Sequence, residues 1–325
     1  MSQRIPHVVR LVQERPWAIL PATLEAILDV VSLHAAGERF TPEEIQARIG
    51  AAAKPAAERA GVVAILPLFG VISQRMNMMT DVSGGTSTEA FGRAFREAVA
   101  DPAVEAIVLA VDSPGGSVFG IDELGAEIFD ARSQKPIVAV ADSLAASAAY
   151  WLAAQASELV VTPGGQVGSI GVFAAHRDLS KAYADAGMKH TLISAGKYKT
   201  EGNPYGPLTD DARAAMQDTV DQYYGLFVKA VARGRGVSVG DVRGGFGEGR
   251  VVTAKDAVAA RMADRIDTLA NTVNRLASRR AQRALLSPAA ATAADTVQEP
   301  ERATTQDPPP GLWRGQVDVN LVDLD

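Results

Sequence analysis

The chain of 325 residues has no cysteine. That absence excludes a thiol nucleophile, a thiolate zinc site and a disulfide framework, and it suits a reducing compartment. Blocks of positive charge are missing as well: the formal net charge is −6 and the isoelectric point is near 5.4. With no lysine- or arginine-rich stripe to follow a phosphate backbone, nucleic acid is not an expected partner. Long apolar runs are also absent. The longest, Ala60–Ile72, is broken by Pro67 and Gly70 and falls short of the roughly 20 residues that cross a bilayer. It reads as two buried strands, so no membrane anchor is expected. Residues 1–20 carry Pro6, Glu14 and Pro16 in place of an apolar core with a small-residue cleavage site. No secretory signal is expected, and the expected compartment is the cytoplasm.

What the chain does have is 47% hydrophobic residues and 29 glycines, a composition suited to a folded α/β enzyme. Short β-branched runs predict strands at 62–68, 70–73, 104–111, 136–141, 157–162, 168–173 and 190–194. Between them, helices are expected at 87–100, 118–132, 148–156 and 179–186, and a long one at 210–233 is capped by Thr209-Asp210-Asp211. Alternation of this kind predicts parallel βαβ units. A last short strand at 249–253 precedes helices at 253–261 and 266–282. Along the long helix, Met216, Val220, Tyr223, Tyr224, Phe227 and Val231 form an apolar stripe expected to face the core. Residues 1–53 read as helices, with Leu24, Ile27, Leu28 and Val31 on one face and Pro42 at the first position of a second helix. A linker is expected at 52–60 and a flexible loop at 74–86. From Ser287 onward, Ala, Thr, Pro and Glu dominate, and a disordered tail is expected.

Ser147 stands where the Pro136–Ala141 run gives way to a small-residue helix beginning at Ala148. A hydroxyl at such a junction lies above the sheet edge, beside free N–H groups of the first helical turn. An ordinary helix N-cap fits the same position. Three further segments favour a nucleophile: Asp112-Ser113-Pro114-Gly115-Gly116-Ser117, Gly168-Ser169-Ile170-Gly171, and Gly196-Lys197-Tyr198-Lys199. The glycine pair lets backbone approach a ligand closely. A serine hydroxyl needs a base to take its proton. Lysine, with an ordinary pKa of ~10.4, serves only where burial disfavours the ammonium. Lys197 and Lys199 lie two residues apart, and spacing does not choose between them. His176 is the alternative base, in a Ser-His-Asp arrangement.

These motifs resemble the serine peptidases of the signal peptide peptidase A type, family S49, and especially the soluble branch found in phages and prophages as head-maturation proteases. The similarity runs over about residues 62–268. It is carried by Ser113-Pro114-Gly115-Gly116, by Ala145-Ala146-Ser147-Ala148-Ala149, by Val167–Val172, by Tyr198-Lys199 and by Gly249-Arg250-Val251 with the helix after it. The resemblance implies a Clp-protease-like or crotonase-like fold of stacked ββα units. It implies Ser147 as nucleophile, Lys199 as general base and Ser169 as the hydroxyl that orients the lysine. The N–H groups of Gly116 and Ala148 would form the oxyanion hole, and Gly115, Gly116 and Ala146 would contact substrate. No metal or cofactor is implied.

The implied domains are an N-terminal helical segment and linker at 1–60, a peptidase domain at 61–282 and a tail at 283–325. Related peptidases complete the dyad across neighbouring subunits, so a homo-oligomer is expected. Without an anchor, clearance of signal peptides gives way to cleavage of scaffold or capsid precursors, with scaffold, capsid and portal proteins as partners in the host cytoplasm or the prohead. A housekeeping peptidase of the same mechanism, a coenzyme A hydratase or isomerase on the crotonase fold, and an inactive assembly subunit are the alternatives.

Overall fold

The computed structural model describes residues 15–35, 37–49, 55–75 and 85–285. The expectations for the first residues, for the centre of the loop at 74–86 and for the tail beyond residue 285 lie outside that set. The chain divides into two units, residues 1–280 and 281–325; the site lies in the first.

Four strands form the middle of an 8-stranded sheet: β3 (Val63–Phe69), β6 (Ala106–Ser113), β8 (Ile137–Ala146) and β9 (Glu158–Val161), paired in parallel. Their sequences are almost continuously apolar because both faces are covered. Ile107, Leu109, Val111, Ile137, Ala139 and Ala141 join one core cluster, while the alternating Ala106, Val108, Val138 and Val140 join another. The first cluster packs against helices α3 (Thr88–Ala100), α4 (Ile121–Ala131), α5 (Ala148–Ala153) and α7 (Asp210–Arg235). In the second, Val273 and Leu276 of α10 (Leu269–Leu285) cover the opposite face.

The strand β8 changes partner along its length. Val138–Ala141 pair with β9, and Leu144–Ala146 pair with β10 (Gln166–Gly168). This fork carries the end of β8 past the sheet and delivers Ser147 at its tip. Behind it, α7 begins at the predicted cap, where the Thr209 hydroxyl accepts from Ala212 N at 3.3 Å. Within the stripe, Phe227 and Val231 are buried, and Tyr223 and Tyr224 pack partly against the same core. The Trp151 and Phe227 rings stack at 4.5 Å. Arg235, near the end of α7, donates to both carboxylate oxygens of Asp264 at 2.7 and 2.9 Å, and Asp264 also accepts from Leu159 N.

Three expectations are corrected. The N-terminal segment is not all helical: β1 (Trp17–Ile19) precedes α1 (Pro21–Ala35) and α2 (Pro42–Ile49). Residues 58–60, read as linker, form an antiparallel edge strand, β2 (Glu58–Ala60), on β3. No strand forms at 190–194, where Ile193 is 96% exposed and no neighbour pairs with the segment. Strand propensity without a partner does not make a strand.

A second, four-stranded sheet has the order β1-β7-β4-β5, with β7 at Gly115–Ser117, β4 at Ile72–Ser73 and β5 at Thr86–Ser87. Trp17 and Ile19 of β1 bury with Leu24, Ile27 and Val30 of α1, Ile49 of α2 and Val71. The N-terminal segment is thereby anchored through its own apolar cluster, beside β7.

Candidate active site

The strand β8 ends at Ala146, and α5 starts at Ala148, leaving Ser147 between them with φ 56° and ψ −119°. Left-handed φ in a non-glycine residue costs on the order of 1–3 kcal/mol and is characteristic of a serine raised on a sharp strand-to-helix turn. The backbone is held there by two bonds: Ser147 N donates to Gly168 O at 2.7 Å, and Trp151 N donates to Ser147 O at 2.9 Å. The N-cap reading fails on geometry, since the hydroxyl makes no cap bond. Ser147 Oγ instead donates to Gly171 O at 3.4 Å, in surroundings that leave the residue buried.

The glycine turn lies against it. Ser113 Oγ donates to Gly70 O at 2.6 Å and accepts from Gly115 N at 3.1 Å, shaping the entry to β7. Gly115 adopts φ 98°, where a side chain would be strained. A methyl group there would collide with Ala18 O and come within 3.0 Å of both Ala146 O and Ser147 Cβ. At Gly116 it would overlap the Ile72 backbone. Both positions need glycine, Gly115 because backbone and Ser147 crowd it and Gly116 because the Ile72 backbone does. Ala148 is buried as the first residue of α5, so Ser147, Gly115, Gly116, Ala146 and Ala148 form one constellation.

Ser169 is buried beside it, with φ 53° and its N–H donating to Arg250 O at 2.8 Å. Lys199 is not brought to the serine. It lies exposed on a turn, its N–H donating to Gly196 O at 3.2 Å. There it helps line a separate cavity of about 540 Å3 with His176, Tyr183, Leu192 and Tyr205. Lys197 sets its ammonium 4.6 Å from the centre of the Tyr198 ring. His176 Nε2 lies 3.0 Å from Asn203 O, and because a carbonyl only accepts, that nitrogen carries the proton. Among the described residues, Ser147 Oγ therefore meets neither a lysine nor a histidine.

Asp112 stands near the end of β6, just before the glycine turn, and Asp142 lies within β8. Burial first, and then the nearby Asp142 charge, push Asp112 above the usual carboxylate range. Farther back, the Tyr150 hydroxyl donates to Met262 O at 2.9 Å and is held well above its ordinary pKa by burial, which marks it as a structural post under α5. Among the described residues, no cluster of three or more His, Asp or Glu side chains is placed to hold a metal ion.

Residues 130–283, which span Ser147, Ser169 and Lys199, match the model of peptidase family S49. They form a peptidase family S49 domain. The relatives of the chain include the capsid assembly protease C of Escherichia phage lambda, 31% identical over 81% of this chain and 63% of that protein. The head-tail preconnector protein GP5 of Enterobacteria phage P21 is 32% identical over 66% of this chain and 43% of its own length. Protease 4 of Salmonella typhi is 29% identical over 65% of this chain and 33% of its own. The chain thus spans less than two thirds of each of these relatives. Its mixed α/β architecture of parallel strands and helices agrees with the Clp-protease-like fold implied by the S49 motifs.

Sequence reasoning missed two parts of the site, Gly171 O and β1. The second had a signal. Trp17-Ala18-Ile19 lies between Pro16 and Pro21, a short β-type run closed by proline at both ends.

Proposed function

We propose that the chain is a serine endopeptidase in which Ser147 is the nucleophile and Lys199 the general base, and that it cuts scaffold or capsid precursor proteins during phage prohead maturation. The observation that carries this reading is the strained backbone of Ser147, whose hydroxyl is free of capping duty and lies against the glycine turn. Strain of this kind persists where the surrounding structure enforces it, as at a nucleophile.

The serine Oγ attacks the scissile carbonyl and passes its proton to the neutral lysine amine. The N–H groups of Gly116 and Ala148 receive the developing oxyanion, each worth about 3 kcal/mol by analogy with other hydrolases. The intermediate collapses as the lysine returns the proton to the leaving amine, and water then cleaves the acyl-enzyme by the same relay. Ser169 orients the lysine.

A lysine serves as base only where burial disfavours its charged form, and Lys199 is exposed in the single chain. A second copy supplies the missing burial. Leu192, Ile193 and Tyr198 are exposed on the same stretch, which supports an oligomer whose contacts cover this segment and carry Lys199 toward a neighbouring Ser147. The likeness to the lambda capsid assembly protease and the P21 head-tail preconnector protein supports the head-assembly role and a place in the prohead or host cytoplasm. Among the described residues, no helix is long and apolar enough to cross a membrane.

Casein and a co-expressed scaffold precursor test the reading. Wild type should cut both, and Ser147→Ala neither, with an unchanged melting temperature. Wild-type rates in Ser147→Ala would overturn it.

A further inference from the structure

A strand of the chain itself, β1, runs between the glycine turn and Phe173. Trp17 and Phe173 exchange both backbone hydrogen bonds, at 2.8 and 3.0 Å. On the other side, β1 runs antiparallel to β7 in the register Trp17↔Ser117, Ala18↔Gly116, Ile19↔Gly115. Leu20 N donates to Pro114 O at 3.0 Å. Successive residues of an extended strand face opposite neighbours, so Ala18, lying between Trp17 and Ile19, turns its N–H and C=O toward Gly116. The Gly116 N–H assigned above to the oxyanion hole thus faces the carbonyl oxygen of Ala18. That oxygen also crowds the point beside Gly115 from which Ser147 Cβ is 3.0 Å away.

We propose that β1 is a built-in occupant of the substrate groove, which blocks the site until it is displaced and displays the kind of segment the site accepts. This rests on the peptidase reading above. A peptide substrate adds to a sheet as an extended strand, its main chain pairing with the edge and alternate side chains entering pockets. The strand β1 does both. Its small residue, Ala18, lies fully buried opposite Gly116, with the large apolar Trp17 and Ile19 on either side. Pro16, two residues before Ala18, reaches the cavity lined by His176, Tyr183, Lys199 and Tyr205. The substrate class is therefore an extended apolar segment with a small residue opposite Gly116. Leu24, Ile27, Val30 and Ile49 tether β1 through the apolar cluster that Trp17 and Ile19 join and Phe173 packs against. Such a tether makes the strand a high-concentration competitor, and turnover falls with the fraction of molecules whose groove is empty.

A cysteine-free chain allows a clean lock. Trp17 and Ser117 form the non-hydrogen-bonded pair of the β1–β7 ladder, about 4.5 Å between Cα atoms for such pairs, within disulfide reach. Trp17→Cys with Ser117→Cys, oxidised by glutathione disulfide, should hydrolyse a fluorogenic short peptide at least about tenfold more slowly than the same protein after reduction. Ala18→Pro, which removes the N–H facing Gly116, should loosen the strand and run faster than wild type in its folded form. Equal rates for the locked and reduced forms, or an Ala18→Pro rate no higher than wild type, would overturn the inference and leave the peptidase reading standing. If wild type neither cuts the peptide nor is labelled at Ser147 by a fluorophosphonate, the peptidase reading fails and this inference fails with it.

Discussion

Ser147 N donates to Gly168 O at 2.7 Å, so the turn that carries Ser147 is tied to the last residue of β10. The fork in β8 creates this contact: its end leaves β9 and pairs with β10, placing Ala146 opposite Gly168. Ser169 follows directly, which brings the second buried serine to the first through backbone pairing.

Substitution in the glycine turn should abolish activity through geometry. Gly116→Ala forces a methyl into the Ile72 backbone, and Gly115→Ala presses a methyl on Ala146 O and Ser147 Cβ and adds left-handed strain of roughly 1–2 kcal/mol. Both variants should melt below wild type and lose peptide hydrolysis, as read by calorimetry and a fluorogenic assay. Retention of full activity in Gly116→Ala would contradict the crowding described here.

The base assignment predicts a split between neighbouring lysines. Lys199→Ala should lose activity with its fold intact, and Lys197→Ala should keep most of it. If the dyad is completed between copies, mixing Ser147→Ala with Lys199→Ala protein under conditions of subunit exchange restores part of the rate. A dead mixture, with exchange proved by labelled subunits, confines each site to one chain.

Asp112 gives a stability test with a definite sign. Its pKa is raised by burial and by Asp142, so the folded state disfavours the charged form. The penalty is absent below the ordinary carboxylate pKa of ~3.9 and appears as pH rises through the folded value. Asp112→Asn should therefore raise the melting temperature at pH 7 and lose that advantage in acid. Equal gains at both pH values would rule out ionisation as the cause.

Asp264 behaves oppositely. Burial works against its carboxylate, but the hydrogen bonds from Arg235 and Leu159 N prevail and hold its pKa below the ordinary range. Its contribution is present above the unfolded pKa and is lost as pH falls through the folded one. The Arg235 side chain is only 6% exposed. Asp264→Asn leaves it without its partner and should cost roughly 1–3 kcal/mol at pH 7, discounted for the half-open carboxylate. In urea melts the gap between wild type and variant should be open at pH 7 and close in acid.

The parallel sheet was legible because its strands are buried on both faces, so Val104–Val111 and Pro136–Ala141 announce themselves as apolar runs. Ser147 was legible through the motifs around it, and the cap at Thr209 through side-chain chemistry. The strand β1 was missed, because three residues carry no periodicity beyond the prolines that bound them, and its pairing partners Gly116 and Phe173 lie far along the chain. The run His190–Ser194 misled for the converse reason: Thr191 and Ile193 favour a strand that no neighbour pairs with here. The link between Ser147 and Lys199 came from the family motifs alone. Nothing in the spacing places them together, and the single chain leaves the lysine exposed.

The central claim is that Ser147 is the reacting group. Intact protein treated with a fluorophosphonate, digested and sequenced by mass spectrometry tests it directly. The account predicts one adduct, on the peptide containing Ser147, whose formation tracks the loss of peptide hydrolysis and which is absent from Ser147→Ala. An adduct on Ser169 or another serine that tracks the same loss, with Ser147 unmodified, would contradict it.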